Sequence, residues 1–194
     1  DARMICITGS NGKTTTTSLI YHILKKAGVD VGLAGNIGHS LALQVAQAPH
    51  STYVIELSSF QLDNMYKFHA NIAVLLNITP DHLDRYGFKM QNYVDSKMRI
   101  LQNQTSADTF VYWKEDEHVP TELPRYNTPS QVCGFTDEEQ ANSSGYATAD
   151  TFVVNSPVHF EMPLSELSLP GRHNLRNSLA AAIACLAAGV DAAV

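Results

Sequence analysis

The sequence is short of everything that would commit it to polynucleotides, to a bilayer or to an oxidising compartment. Lys and Arg total 13 against 19 Asp and Glu, a formal net charge of −6, and the few cations form no basic cluster. A phosphate backbone demands a concentrated basic footprint, so no nucleic-acid partner is expected. The longest apolar stretches, Ile72 to Leu76 and Leu179 to Ala188, are too short or too alanine-rich to span a membrane, and no signal-like segment precedes them. No membrane partner is expected, and the location is read as cytoplasmic. The three cysteines, Cys6, Cys133 and Cys185, are far apart and set in apolar surroundings. That suits reduced core thiols, not disulfides or a metal cage.

What is present is enough for one well-buried domain: 194 residues, 44% of them hydrophobic and 16% charged. Near the start, MICITGSNGKTTTTSLI breaks an apolar run with glycine and lysine and then resumes as a helix-like pattern. Gly9 and Gly12 let the backbone curl until several N–H groups point inward, and the next helix adds its unpaired amides and positive dipole end. Such a turn cradles an anion. Lys13 can reach the outer phosphates of a nucleotide, and the Thr14 hydroxyl lies where a phosphate-loop protein binds magnesium. The spacing is GxxGK[ST] from Gly9; the usual pattern would need glycine at Ile7.

The remaining periodicity alternates strand and helix. Strands are expected at Arg3 to Thr8, Val29 to Ala34, Thr52 to Leu57, Ala70 to Ile78, Thr109 to Trp113 and near Gln131 to Phe135. Helices are expected at Thr14 to Ala27, Ser40 to Ala48, Met90 to Asn103 and His173 to Ala188. Residues 137 to 151 are polar and turn-rich, and FVVN and HFEMPL read as short strands of a small antiparallel flap. The whole predicts a doubly wound α/β fold with a mostly parallel sheet, whose ligands sit at the carboxyl ends of the strands.

Several residues there could do chemistry. Glu56 ends the strand TYVIE, where a carboxylate can hold magnesium; a solvated strand-end acid is the rival reading, and the neighbouring phosphate loop favours magnesium. Asp81, His82 and Asp84 crowd the loop after the most apolar strand, and a neutral imidazole there could ligate a metal or position a phosphate. His173 keeps similar company, whereas His22, His39, His50, His69, His118 and His159 read as surface or packing residues. Lys97 alone reads as a solvated helix lysine. Asn174 and Asn177 share a helical face and could read a heterocycle such as adenine, or Asn174 could cap the helix.

Taken together, TGSNGKTTT, GNIG, ELSSFQL, NITPDHLDRY, SKMRI and GRHNLRN resemble the Mur ligase family in kind and order, from residue 3 to about residue 189. Within the family, ELSSFQL and GNIG are most similar to the member that adds D-glutamate to UDP-N-acetylmuramoyl-L-alanine in peptidoglycan precursor synthesis, through an acyl phosphate made from ATP. The resemblance implies that Gly9, Ser10, Asn11, Gly12, Lys13, Thr14 and Thr15 hold the phosphates, and that Thr14 and Glu56 hold one magnesium. It implies that His82 and Lys97 serve a second magnesium, with Lys97 carrying a CO₂-derived carbamate. By the same resemblance Asn36 faces the reacting carboxylate, Ser58 and Gln61 the precursor, and Asn174 and Asn177 the adenine. Residues 1–194 would then be the central ATPase domain alone, cut from a longer chain, monomeric and unable to ligate by itself. A folylpolyglutamate synthetase-like ligase and a non-catalytic nucleotide-binding module are the alternatives. No NKxD motif supports a GTPase.

Overall fold

A computed structural model describes residues 2–194. In chain order its elements are β1 (Arg3–Thr8), α1 (Lys13–Lys26), β2 (Val31–Gly35), α2 (Leu41–Gln47), β3 (Thr52–Glu56), α3 (Ser59–Asp63), β4 (Ile72–Leu75), α4 (Met90–Met98), β5 (Thr109–Trp113), α5 (Val119–Tyr126), β6 (Gln131–Glu138), β7 (Gly145–Ala147), β8 (Thr151–Val154), β9 (Phe160–Pro163) and α6 (Arg172–Ala187). The strands form one sheet in the order β2-β3-β1-β4-β5-β6-β7-β8-β9. Pairing is parallel from β2 through β7 and antiparallel across β7, β8 and β9. The antiparallel strands expected after residue 137 are therefore the edge of the main sheet, and β7 joins them to it.

Alternation along the central strands builds a core on each face, because successive side chains of a strand point opposite ways. Ile5 and Ile7 of β1, with Ile72, Val74 and Leu76 in and after β4, pack against Ile20 and Leu24 of α1 and Ile183 of α6. Cys6, Ala73 and Leu75 face the other way, toward Leu62 of α3 and Tyr93, Val94 and Met98 of α4. The buried Ala180, Ala181 and Ala184 bring α6 close to the sheet and to α1. All three cysteines are free and buried. Burial pushes the Cys185 thiol up to about 12 and the Cys6 thiol higher still, so neither is a nucleophile.

The chain runs from β1 to β2 and β3 on one side and then crosses to β4 on the other, so the strand order reverses at β1. That is where a parallel sheet opens a crevice at the carboxyl ends of its strands. The expected Met90 to Asn103 helix ends at Met98 and continues as a 3-10 turn, Arg99–Leu101. Two helices are additions to the sequence reading: five-residue α3, and α5, whose Pro120 and Pro124 disguise it.

Candidate active site

The loop from Gly9 to Gly12 joins β1 to α1 at that crevice. Gly12 is the residue before the helix, at φ 83°, with no side chain capping the first turn. Left-handed backbone favours glycine, and a Cβ there would also collide with the Asn177 amide and crowd Leu76. The loop is pinned to the segment after β4: Ser10 N donates to Asn77 O and Asn11 N to Asn77 Oδ1, both at 2.9 Å. The Ser10 hydroxyl donates to Thr79 O and accepts from Thr79 N, each at 2.9 Å. Lys13 folds back over its own loop, its Nζ 2.9 Å from the carbonyl oxygens of Gly9 and Ser10. Burial lowers its pKa, with Glu56 and Asp81 opposing.

Parallel pairing sets Glu56 beside Ile7, next to the start of the loop. Glu56 is 2% exposed, so it is not a solvated strand-end acid. Its Oε2 accepts from the Thr14 hydroxyl at 2.8 Å and its Oε1 from the Asn36 amide at 2.9 Å. Gly35 makes the second contact possible: at φ 97° it turns β2 so that Asn36 N bonds Glu56 O at 2.9 Å, and a Cβ at Gly35 would run into that carbonyl. Thr14 and Glu56 thus bring together two oxygens of the hard kind magnesium takes.

Lys97 departs furthest from its local pattern. It is 2% exposed; the solvated helix lysine is not what forms. Its Nζ donates to Gly9 O at 2.9 Å and lies 4.7 Å from the Tyr93 ring centroid. Burial, helped by the nearby Lys13 charge and opposed by Asp81, pushes its pKa down to about 7. At neutral pH much of this amine is therefore unprotonated. Tyr93 ties the arrangement to the loop through its hydroxyl, 3.0 Å from Ser10 Oγ.

His82 sits in left-handed backbone at φ 49°, ahead of the 3-10 turn Leu83–Tyr86 that contains Asp84. Its ring is half-exposed, edge-on to Phe60 at 5.2 Å, with Nε2 3.5 Å from Asp81. Ser58 and Gln61 satisfy each other as a capping box for α3. Asn174 does not cap α6; Gly171 precedes the helix, and the Asn174 amide donates to Pro170 O at 2.9 Å. Asn177, 7% exposed, lies against Gly12 and reaches Asn174 Oδ1 at 3.5 Å. Among the described residues no three His, Cys, Asp or Glu side chains gather to hold a metal. A magnesium ion here would depend on phosphate oxygens, as this ion usually does.

The sequence reading missed the residues that hold the loops. Asn77 and Thr79 were read only as part of a motif, and Asp116 not at all. Asp116 Oδ2 accepts from Ile78 N at 2.8 Å, and its Oδ1 from the amides of His118 and Val119 at 2.9 Å, buttressing the segment that carries Asn77. The available signal was an asparagine near the end of the most apolar expected strand, two residues past β4.

A family model described as Mur ligase middle domain matches residues 7–185. The chain belongs to the Mur ligase family. Among curated proteins it is similar to the UDP-N-acetylmuramoylalanine--D-glutamate ligase of Bacteroides fragilis, 58% identical over 190 residues that cover 98% of this chain and 43% of that protein. The protein of the same name from Porphyromonas gingivalis is 51% identical, covering 96% and 42%. The chain thus spans under half the length of the curated Mur ligases it matches. Of solved structures, a UDP-N-acetylmuramoyl-L-alanyl-D-glutamate--2,6-diaminopimelate ligase superposes with TM-score 0.80 at 25% identity, covering 98% of this chain and 44% of that one. A Thermotoga maritima MurF ligase in complex with ADP shares the fold, with TM-score 0.70 at 22% identity over 98% of this chain and 47% of that one.

Proposed function

We propose that this chain is the central, ATP-binding part of a longer cytoplasmic ligase that joins D-glutamate to UDP-N-acetylmuramoyl-L-alanine. The observation that carries the reading is the convergence of Lys13, Lys97 and the Thr14–Glu56 pair on one phosphate loop. The identity of 58% to a ligase of that name supports the choice of substrates.

In this reading the loop amides from Gly9 to Thr15 receive the β- and γ-phosphates, and Lys13 leaves the carbonyls of Gly9 and Ser10 to neutralise them. Thr14 and Glu56 would hold magnesium, which draws charge from the phosphate oxygens when bound. The precursor carboxylate, oriented by Asn36, Ser58 and Gln61, attacks the γ-phosphorus. The bond to the ADP oxygen breaks and an acyl phosphate forms. The amine of D-glutamate then attacks the acyl carbon and inorganic phosphate leaves. Lys97 suits carbamylation, because only an unprotonated amine adds CO₂ and burial supplies that form near pH 7. The resulting anion would serve the second magnesium with His82. Asn174 and Asn177 face the base.

Calorimetric titration with a non-hydrolysable ATP analogue and Mg²⁺ tests the nucleotide part. Saturable binding is expected, and it should be lost in Lys13→Ala; no binding to the wild-type chain would sink it. The chain alone is expected to incorporate no D-glutamate, because positioning both reactants supplies much of the rate in such chemistry.

A further inference from the structure

Outside the residues assigned above, one buried carboxylate gripped by two arginines stands at the carboxyl ends of β5 and β6. Asp137, its side chain 3% exposed, accepts from Arg176 Nε at 2.7 Å and Arg176 Nη2 at 2.6 Å, and from Arg172 Nε at 2.5 Å. The Arg176 guanidinium lies 3.8 Å from the Trp113 ring centroid. Trp113 Nε1 donates to Glu115 Oε2 at 3.0 Å, and the same oxygen accepts from Asp137 N at 3.2 Å. The ends of β5 and β6 and the first turns of α6 are thereby closed into one ring of contacts.

Burial alone would raise the Asp137 pKa, but the Arg176 and Arg172 hydrogen bonds carry it below the usual carboxylate range, so the cluster stabilises the fold. Apolar packing often holds a fold as well. What a bidentate guanidinium adds is direction, since its planar fork fixes both partners in one orientation. The farther half of α6 is anchored independently, through buried Leu179, Ala180, Ile183 and Ala184. Arg172 and Arg176 tie the first turns to Asp137 beside the packing of Leu175, and these turns carry Asn174 and Asn177, the latter against Gly12 of the phosphate loop.

We propose that Asp137, Arg176 and Trp113 are positioning residues for the base half of the nucleotide, holding the Asn174 and Asn177 amides in register with the phosphate loop. The proposal rests on the nucleotide reading above. It separates two halves of one ligand: the loop binds phosphates, and the stack aligns what reads the base.

The test measures calorimetric affinity for the Mg²⁺ complexes of a non-hydrolysable ATP analogue and of tripolyphosphate, which has no base. Wild type, Arg176→Met and Arg176→Lys are compared, the lysine variant keeping the charge and stem while losing the fork. Both variants are expected to bind the analogue about tenfold more weakly, in the range found for coupling between contacting residues, with tripolyphosphate affinity unchanged. A parallel loss for both ligands would make the cluster merely structural, and no loss for either would make it irrelevant; each overturns the proposal. If Arg176→Met does not fold, Arg176→Lys alone decides. Wild-type binding of tripolyphosphate without any gain from the base would refute the base assignment and leave the phosphate site standing. Binding of neither ligand would remove the nucleotide reading and this inference with it.

Discussion

Two buried charges on either side of the sheet, Asp108 and Lys97, are treated in opposite ways. At the amino ends, Asp108 precedes β5 with every approach filled: Thr105 donates through N at 2.6 Å and Oγ1 at 2.8 Å, His69 Nε2 lies at 2.8 Å, and the Asn71 amide at 3.4 Å. Burial would raise its pKa, yet these bonds carry it below the ordinary carboxylate value. At the carboxyl ends, Lys97 is equally buried, but its partners are a carbonyl and an aromatic ring, with no carboxylate in contact. Asp108, saturated, serves the fold, whereas Lys97, unsaturated, is held at a cost to it.

Four measurements would break or sharpen that contrast. Lys97→Met should stabilise the protein at pH 6 by roughly 3 kcal/mol, a discounted conversion of the shift from 10.5 to about 7. The sign follows from the direction: between those pH values the unfolded chain binds the extra proton, so wild-type stability rises with pH and the gap closes toward pH 10. Urea unfolding in CO₂-free buffer across this range reads it, and a gap independent of pH would refute the assignment. Asp108→Ala should lower unfolding free energy by about 3 kcal/mol at pH 7, since it orphans buried donors. Its nucleotide affinity should match wild type.

Lys13→Ala should show the reverse, losing about a hundredfold in affinity for the ATP analogue, near 2.7 kcal/mol, with no fall in melting temperature. A destabilised Lys13→Ala would mean that the loop needs its lysine to fold. The smallest effect belongs to His50→Ala. His50 Nδ1 meets Asp30 Oδ1 at 2.6 Å, but Asp30 is exposed, and exposed pairs are screened. Its melting temperature should stay within error of wild type.

The strands and the phosphate loop were legible because their signals are local. Ile5, Cys6 and Ile7 read as a strand from their own apolarity, and Gly12 with Lys13 marks the turn into α1 within a few residues. Burial of Lys97 was not legible, because Val94 and Met98 look the same beside a snorkelling lysine as beside an enclosed one. Its hydrogen-bond partner, Gly9 of the phosphate loop, is 88 residues away in sequence. The contacts of Asn77 with Asn11, and of Asp137 with Arg172 and Arg176, likewise span 66, 35 and 39 residues. Residues 119 to 126 went unread as a helix for a local reason: Pro120 falls in its first turn, where no amide is required, but proline in sequence signals a break. The family resemblance implied the role proposed for Lys97, which its neighbours conceal.

The bonds from Lys13 to the carbonyls of Gly9 and Ser10 bear on speed as well as affinity. With an ammonium group already occupying the inside of the turn, the loop has a folded shape to keep while it waits. On the proposed reading, ligand arrival would exchange two carbonyl contacts for phosphate contacts and require no ordering of chain. Stopped-flow association should accordingly be a single second-order phase that slows as salt is added, with no lag for loop closure.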